Sequence, residues 1–166
     1  MDNDDLKQWV KNNLPSDSDI ELIVLKGHLL IEECLNSIID AAKLNNSCLG
    51  NLDLNFYKRV ILVNTLCWKS PEDKIWNFIL QINKLRNDLA HNLDSKKRER
   101  LILDVIHMHI DILDSDLIEE TKAMSIKRQI ELSFYLIIGY LDAMKVDIKD
   151  QYDAFYLLVK GNNYNG

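Results

Sequence analysis

Apolar residues recur every three or four positions over most of this chain, and no segment alternates with period two over a useful length. The pattern predicts helices separated by short polar breaks. Residues 4–13 read as a first helix that ends before Pro15. A long helix starts at about residue 17. Val24, His28, Ile31, Leu35, Ile38 and Ala42 form its apolar stripe, with Ile23, Leu30 and Cys34 beside it, and Glu32, Asn36, Asp40 and Lys43 form a polar line. Gly27 falls inside this helix, where glycine costs stability relative to alanine, so its presence predicts a close approach by another helix.

"NNSCLGN" reads as a loop, and residues 54–68 as a third helix with Phe56, Val60, Val63 and Cys67 on one stripe. "KSPEDKIW" opens a fourth, with Ser70 as cap, Pro71 in the first helical position and acids in the first turn. That helix turns Ile75, Phe78, Ile79, Ile82, Leu85 and Leu89 inward. Asp94 or Ser95 caps a fifth helix through about Leu113. A sixth spans about 117–146, with Ile126, Ile130, Phe134, Ile137, Leu141 and Met144 on one face. Leu132, Tyr135, Leu136, Ile138 and Tyr140 add apolar surface on its other faces, more than one packing face needs, which implies a partner subunit over part of it. A short terminal helix at about 148–160 is expected to dock through Tyr152, Phe155, Tyr156 and Val159. The fold class is all-α, a bundle of about five to six helices in one domain spanning residues 1–166.

Composition agrees. A chain of 166 residues suits one substantial core, and 47% hydrophobic with 28% charged residues is globular. Five glycines and two prolines are too few for the turns of an all-β domain. The net charge of −6 does not draw nucleic acid to the surface as a whole. From Ile82 to Arg100, however, six basic residues stand against three acidic ones, so this segment is +3 and the remainder −9. Cys34, Cys48 and Cys67 have neither zinc spacing nor a disulfide framework. The acidic start "MDNDDLKQWV" is unlike a signal peptide, and the longest apolar run, "FYLIIGYL" at 134–141, is too short for a bilayer. The expectation is a cytoplasmic protein without membrane association.

One stretch looks like chemistry: "KLRNDLAHNLD", residues 84–94. On a continuous helix Asn87 and His91 share a face, whereas Arg86 lies about 140° round from His91. The two converge if the helix loosens near His91, or if a second copy faces the first across a two-fold axis. The residue types suit cleavage of RNA without metal. Histidine titrates near neutral pH and can take a proton from a 2′-hydroxyl or return one to the leaving oxygen. Arginine grips phosphate oxygens and stabilises developing charge. Asparagine orients the histidine or donates to phosphate. RNA carries its own nucleophile, so the products would end in 2′,3′-cyclic phosphate. A solvated helix end, where cations suit the dipole, accounts for the same residues without chemistry.

Arg86-Asn87-x-x-x-His91 resembles the Arg-polar-x3-His signature of the HEPN (higher eukaryote and prokaryote nucleotide-binding) superfamily. "LKGHLLIEECLNSII" followed by "INKLRNDLAHNLD" is similar to bacterial members, among them relatives of the mannitol-operon repressor, over residues 20–95. The resemblance implies an up-and-down helical bundle and a homodimer with both motifs lining a cleft. It implies a metal-independent endoribonuclease of a toxin–antitoxin, anti-phage or stress-response system, with a cognate antitoxin as partner. The alternative within the family is a non-catalytic regulatory or interaction module. Arg86, Asn87 and His91 match the signature as catalytic residues. Toxins paired with a nucleotidyltransferase carry tyrosine two residues after the histidine. Leu93 stands there instead, which excludes regulation by modification at this position.

Lys84, Lys96 and Lys97 are candidates for holding the RNA backbone, although "SKKRER" also reads as a solvated helix start. His28 and Glu32 are auxiliary candidates, against the plainer reading of His28 as a hydrogen-bonded interior histidine. No metal or cofactor is called for. Glu-x-x-His does not occur, His107 and His109 point to different helix faces, and no Gly-rich phosphate loop or nucleophile elbow is present.

Overall fold

The computed structural model describes residues 3–15, 18–42, 53–67, 73–92 and 95–162. The described residues form seven helices: α1 (Asn3–Asn13), α2 (Ile20–Ala41), α3 (Phe56–Leu66), α4 (Asp73–His91), α5 (Ser95–Ile110), α6 (Ser115–Ala123) and α7 (Ile126–Asn162). No strand occurs among them. The architecture is the all-α bundle that the periodicity predicts, with seven helices rather than five to six.

α2 is the central element and packs against α1, α3, α4 and α7, most extensively against α7. Its stripe of Val24, Ile31, Leu35, Ile38 and Ala42 is completely buried, with Ile23 beside it. From α4, Ile75, Phe78, Ile79, Ile82 and Leu85 join the same core, and Leu89 packs against its edge. From α7 come Ile130, Phe134, Ile137, Leu141 and Met144. Each fully buried aliphatic side chain contributes roughly 1.5–3 kcal/mol, so the helix seams are held mainly by these stripes. Gly27 lies where α2 and α7 meet. A Cβ there would sit 2.3 Å from the Phe134 ring, so the close approach that the glycine predicts is present.

Helix ends differ from the sequence reading at several points. α2 begins at Ile20, after Asp19 in extended conformation, rather than near residue 17. Asn55 caps α3, its side chain accepting from the Lys58 N–H at 3.0 Å. α5 ends at Ile110, not at Leu113, and a turn follows. The Ser70 and Pro71 start, the Asp94 cap, the 45–51 loop with Cys48, and Lys43 lie outside the described residues.

The span from 117 to 146 is not one helix. Met124 is extended, with φ −77° and ψ 160°, and ends α6. Ser125 then caps α7, its Oγ accepting from the Arg128 N–H at 3.3 Å while its carbonyl accepts from Gln129 N–H at 3.0 Å. Ile126 therefore sits in the first turn, 47% exposed, and not on the inner face. Nor is there a separate terminal helix at 148–160. α7 continues through that region to Asn162, because nothing between Met144 and Tyr156 is a proline or glycine that would stop it. Ile148 is buried and Tyr152 half-buried, but Phe155 and Tyr156 are exposed, so docking ends at Tyr152. The Val159 side chain lies outside the description. The apolar excess on α7 is partly absorbed within the chain: Ile138 is fully buried and Tyr135 and Leu136 pack on the core, while Tyr140 stays exposed.

No described helix is long and apolar enough to cross a membrane. Cys34 and Cys67 are free thiols. Burial, then the charges of Asp142 and Glu33, pushes the Cys34 thiol up to about 12, far from a reactive thiolate.

Candidate functional site

α4 carries the motif and stays helical to its end. Asn92 N–H donates to the Asp88 carbonyl at 2.8 Å, so the helical turn closes past His91. Of the two routes by which Arg86 and His91 could converge, loosening of the helix does not occur. Within one chain they remain about 140° apart round the axis.

The end of the helix is fixed from behind by a residue the sequence reading passed over. Asp88 is buried; its Oδ1 accepts from Asn92 Nδ2 at 2.7 Å and pairs with Lys97 Nζ at 2.8 Å. The hydrogen bond from Lys97 is the main reason its carboxyl lies below the ordinary carboxylate value. Desolvation opposes it and is outweighed with the help of Asn92 and the charges of Lys97 and Arg98. Arg98 donates through Nη2 to the Asn92 carbonyl at 3.1 Å and through Nη1 to Glu21 at 3.1 Å. This ties the C-terminus of α4 to α5 and α2. Two cations of "SKKRER" are thereby engaged inside the chain. Lys84 and Lys96 are exposed.

Round α4, His91 lies about 60° from Asp88, Asn87 about 100° and Arg86 about 160°. Asn87 and His91 are exposed and one turn apart, as the spacing predicts. Arg86 is half-buried, and its Nη1 donates to Asn87 Oδ1 at 3.1 Å. Among the described residues, neither Arg86 nor His91 is ion-paired with a carboxylate. One turn before Asn87 comes Asn83, whose Oδ1 meets His28 Nε2 at 3.0 Å. His28 is buried and stacks on Phe56 of α3 with ring centroids 4.2 Å apart. Burial holds it below the ordinary imidazole value of 6.5; the Asn83 bond and Glu32 oppose this, and the Arg86 charge adds to it. His28 is thus both an interior hydrogen-bonded histidine and a neighbour of the motif helix. Glu32 forms an ion pair with Arg59 of α3.

Asn83 also escaped the sequence reading. Its signal was present, since positions 83, 87 and 91 repeat at four-residue spacing. His107 is exposed and His109 buried, on different faces of α5. No group of three or more His, Cys, Asp or Glu among the described residues is arranged to hold a metal ion. Leu93 lies outside the described residues. No family model, no curated protein and no solved structure matches the chain.

Proposed function

We propose that this protein is a metal-independent endoribonuclease of the HEPN type that works as a homodimer. The observation that carries the reading is the presentation of the signature. Arg86, Asn87 and His91 are partly or fully exposed on the last turns of α4, and Asp88, Lys97 and Arg98 clamp that same helix end. A rigid mount under accessible polar groups is what a catalytic constellation requires. Arg86 is not neutralised by a described carboxylate, so it can grip a phosphodiester through its planar fork.

Because α4 does not loosen, the reading requires the two-fold arrangement, in which Arg86 of one protomer works beside His91 of the other. One imidazole takes the proton of the 2′-hydroxyl. The 2′-oxygen attacks phosphorus, the bond to the 5′-oxygen breaks, and a second imidazole returns a proton to that oxygen. The products are a 2′,3′-cyclic phosphate and a 5′-hydroxyl. Such a nuclease serves a toxin–antitoxin, anti-phage or stress-response role in the cytoplasm, held in check by a cognate antitoxin.

The 140° separation favours one second reading. A monomer would offer a phosphate-binding face without a positioned base, which suits a regulatory module. The test is incubation of single-stranded RNA, with matched DNA as control, in excess EDTA with wild type, Arg86→Ala and His91→Ala, alongside sedimentation for oligomeric state. Cleavage of RNA alone to cyclic phosphate ends, lost in both folded variants, is the expected result. A monomer that cleaves no RNA sinks the nuclease reading, and cleavage that depends on one added metal sinks the mechanism.

A further inference from the structure

Two side-chain amides on α4 are oriented from within the protein. Asn83 Oδ1 accepts from His28 Nε2 at 3.0 Å, and Asn87 Oδ1 accepts from Arg86 Nη1 at 3.1 Å. With each carbonyl oxygen engaged, each NH2 group is the free end of its amide. Asn83 is half-buried, and no donation from its Nδ2 to another described residue is seen. Asn83, Asn87 and His91 follow one another at four-residue spacing, each about 6 Å further along the axis. Arg86 lies beside the first two. The groups form a row of N–H donors on the exposed side of α4. The nearby carboxylates are engaged elsewhere, Glu32 with Arg59 and Asp88 with Lys97.

His28 is built to serve this row in one protonation state. It is 4% exposed, stacked on Phe56, and its Nδ1 is buried without a partner. A proton on Nδ1 would place a charge in that sealed position with Arg86 close by. The neutral ring with its hydrogen on Nε2 is the form that donates to Asn83 and fixes the amide.

We propose that Asn83 is a phosphodiester-binding residue that extends the site one turn toward the N-terminus of α4, and that His28 is its positioning residue. The ligand class rests on the ribonuclease reading of the same site: single-stranded RNA, whose backbone oxygens accept from the row. Arg86 takes one phosphate, and Asn83 contacts the backbone beside it.

The experiment measures binding of a labelled single-stranded RNA oligonucleotide to His91→Ala protein, which should lose turnover and retain binding through Arg86, Asn87 and Asn83. Asn83→Asp keeps an acceptor for His28 but replaces the donor with a negative charge, and should weaken binding by about tenfold or more. Asn83→Ala should weaken it less. His28→Phe keeps the stack on Phe56 and loses the donor, whereas His28→Gln retains an N–H that can reach Asn83. Phe should weaken binding, Gln should restore it, and the Phe effect should vanish in the Asn83→Ala background. Thermal melts show which variants are folded. If His91→Ala binds RNA and folded Asn83→Asp binds it equally well, the inference fails and the ribonuclease reading stands. If wild type neither cleaves nor retains RNA and His91→Ala does not bind it, that reading falls and takes this one with it.

Discussion

Gly27→Ala and Gly139→Ala should move stability in opposite directions, although both replace a glycine inside a helix. Each gains the ordinary advantage of alanine, roughly 0.5–1 kcal/mol. At Gly27 the new Cβ would lie 2.3, 2.4 and 2.6 Å from three atoms of the Phe134 ring. Carbon atoms pack best at about 3.5–4.0 Å, so the ring or the helix must retreat by about 1 Å or more. Phe134 is 1% exposed in the α2–α7 seam and has nowhere open to go. Overpacking of this kind costs about 1–3 kcal/mol or more. The steric term wins, leaving a net loss of about 1–2 kcal/mol. At Gly139 nothing lies within 4 Å of the added carbon, so the helix gain stands alone. For a chain of this size each kcal/mol moves the melting temperature by about 2–4 °C. Gly27→Ala should therefore melt several degrees lower and Gly139→Ala slightly higher, with urea midpoints shifting in the same sense. Phe134→Leu should be less harmful in the Gly27→Ala background than alone, a coupling readable from a double-mutant cycle. A Gly27→Ala protein as stable as wild type, with no coupling to position 134, would refute the close approach of α2 and α7.

Asp88→Asn should lower stability at neutral pH and flatten the acid limb of the stability profile. The Asp88 carboxyl is held low in the fold, so its contribution is fully present above the unfolded value of 3.8 and is lost as pH falls through the folded value. Urea titrations at several pH values compare the slopes, and equal acid limbs in variant and wild type would dismiss the Lys97 clamp. His109 is buried and held below 6.5, chiefly by burial. The unfolded chain then takes up the proton first, so stability should be flat above about pH 7 and decline as pH drops from 6.5 toward the folded value. His109→Phe should remove part of that decline, and an unchanged slope would show that the fold does not hold His109 below its unfolded value.

The inward faces of α2 and α4 were legible because they obey a single period over several turns. Val24 to Ala42 and Ile75 to Leu85 show the same spacing in sequence and in the core. The break at Met124 and Ser125 was not, because "KAMSIKR" contains no residue that forbids a helix. Only the Ser125 cap marks the boundary, and a serine, though favoured at caps, is tolerated within helices as well. The opposite error at residues 146–148 has the same origin. The charged residues there do not stop a helix, and with no proline or glycine between Met144 and Tyr156 α7 runs on.

The candidate site divides along another line. Residue types and the shared face of Asn87 and His91 follow from spacing within one helix, so the sequence contains them. What mounts and orients those groups comes from other helices: Lys97 and Arg98 from α5, Glu21 and His28 from α2, Phe56 from α3. Pairings across 55 and 77 positions, such as His28 with Asn83 and Glu21 with Arg98, leave no local mark in the chain. Lys97 illustrates the consequence. As one of a run of cations it looked available to RNA, yet a buried carboxylate nine residues earlier holds it at 2.8 Å. The basic count of the 82–100 segment therefore overstates the charge open to a ligand, and the motif chemistry is spread over about 140° of α4, from Arg86 through Asn83 and Asn87 to His91.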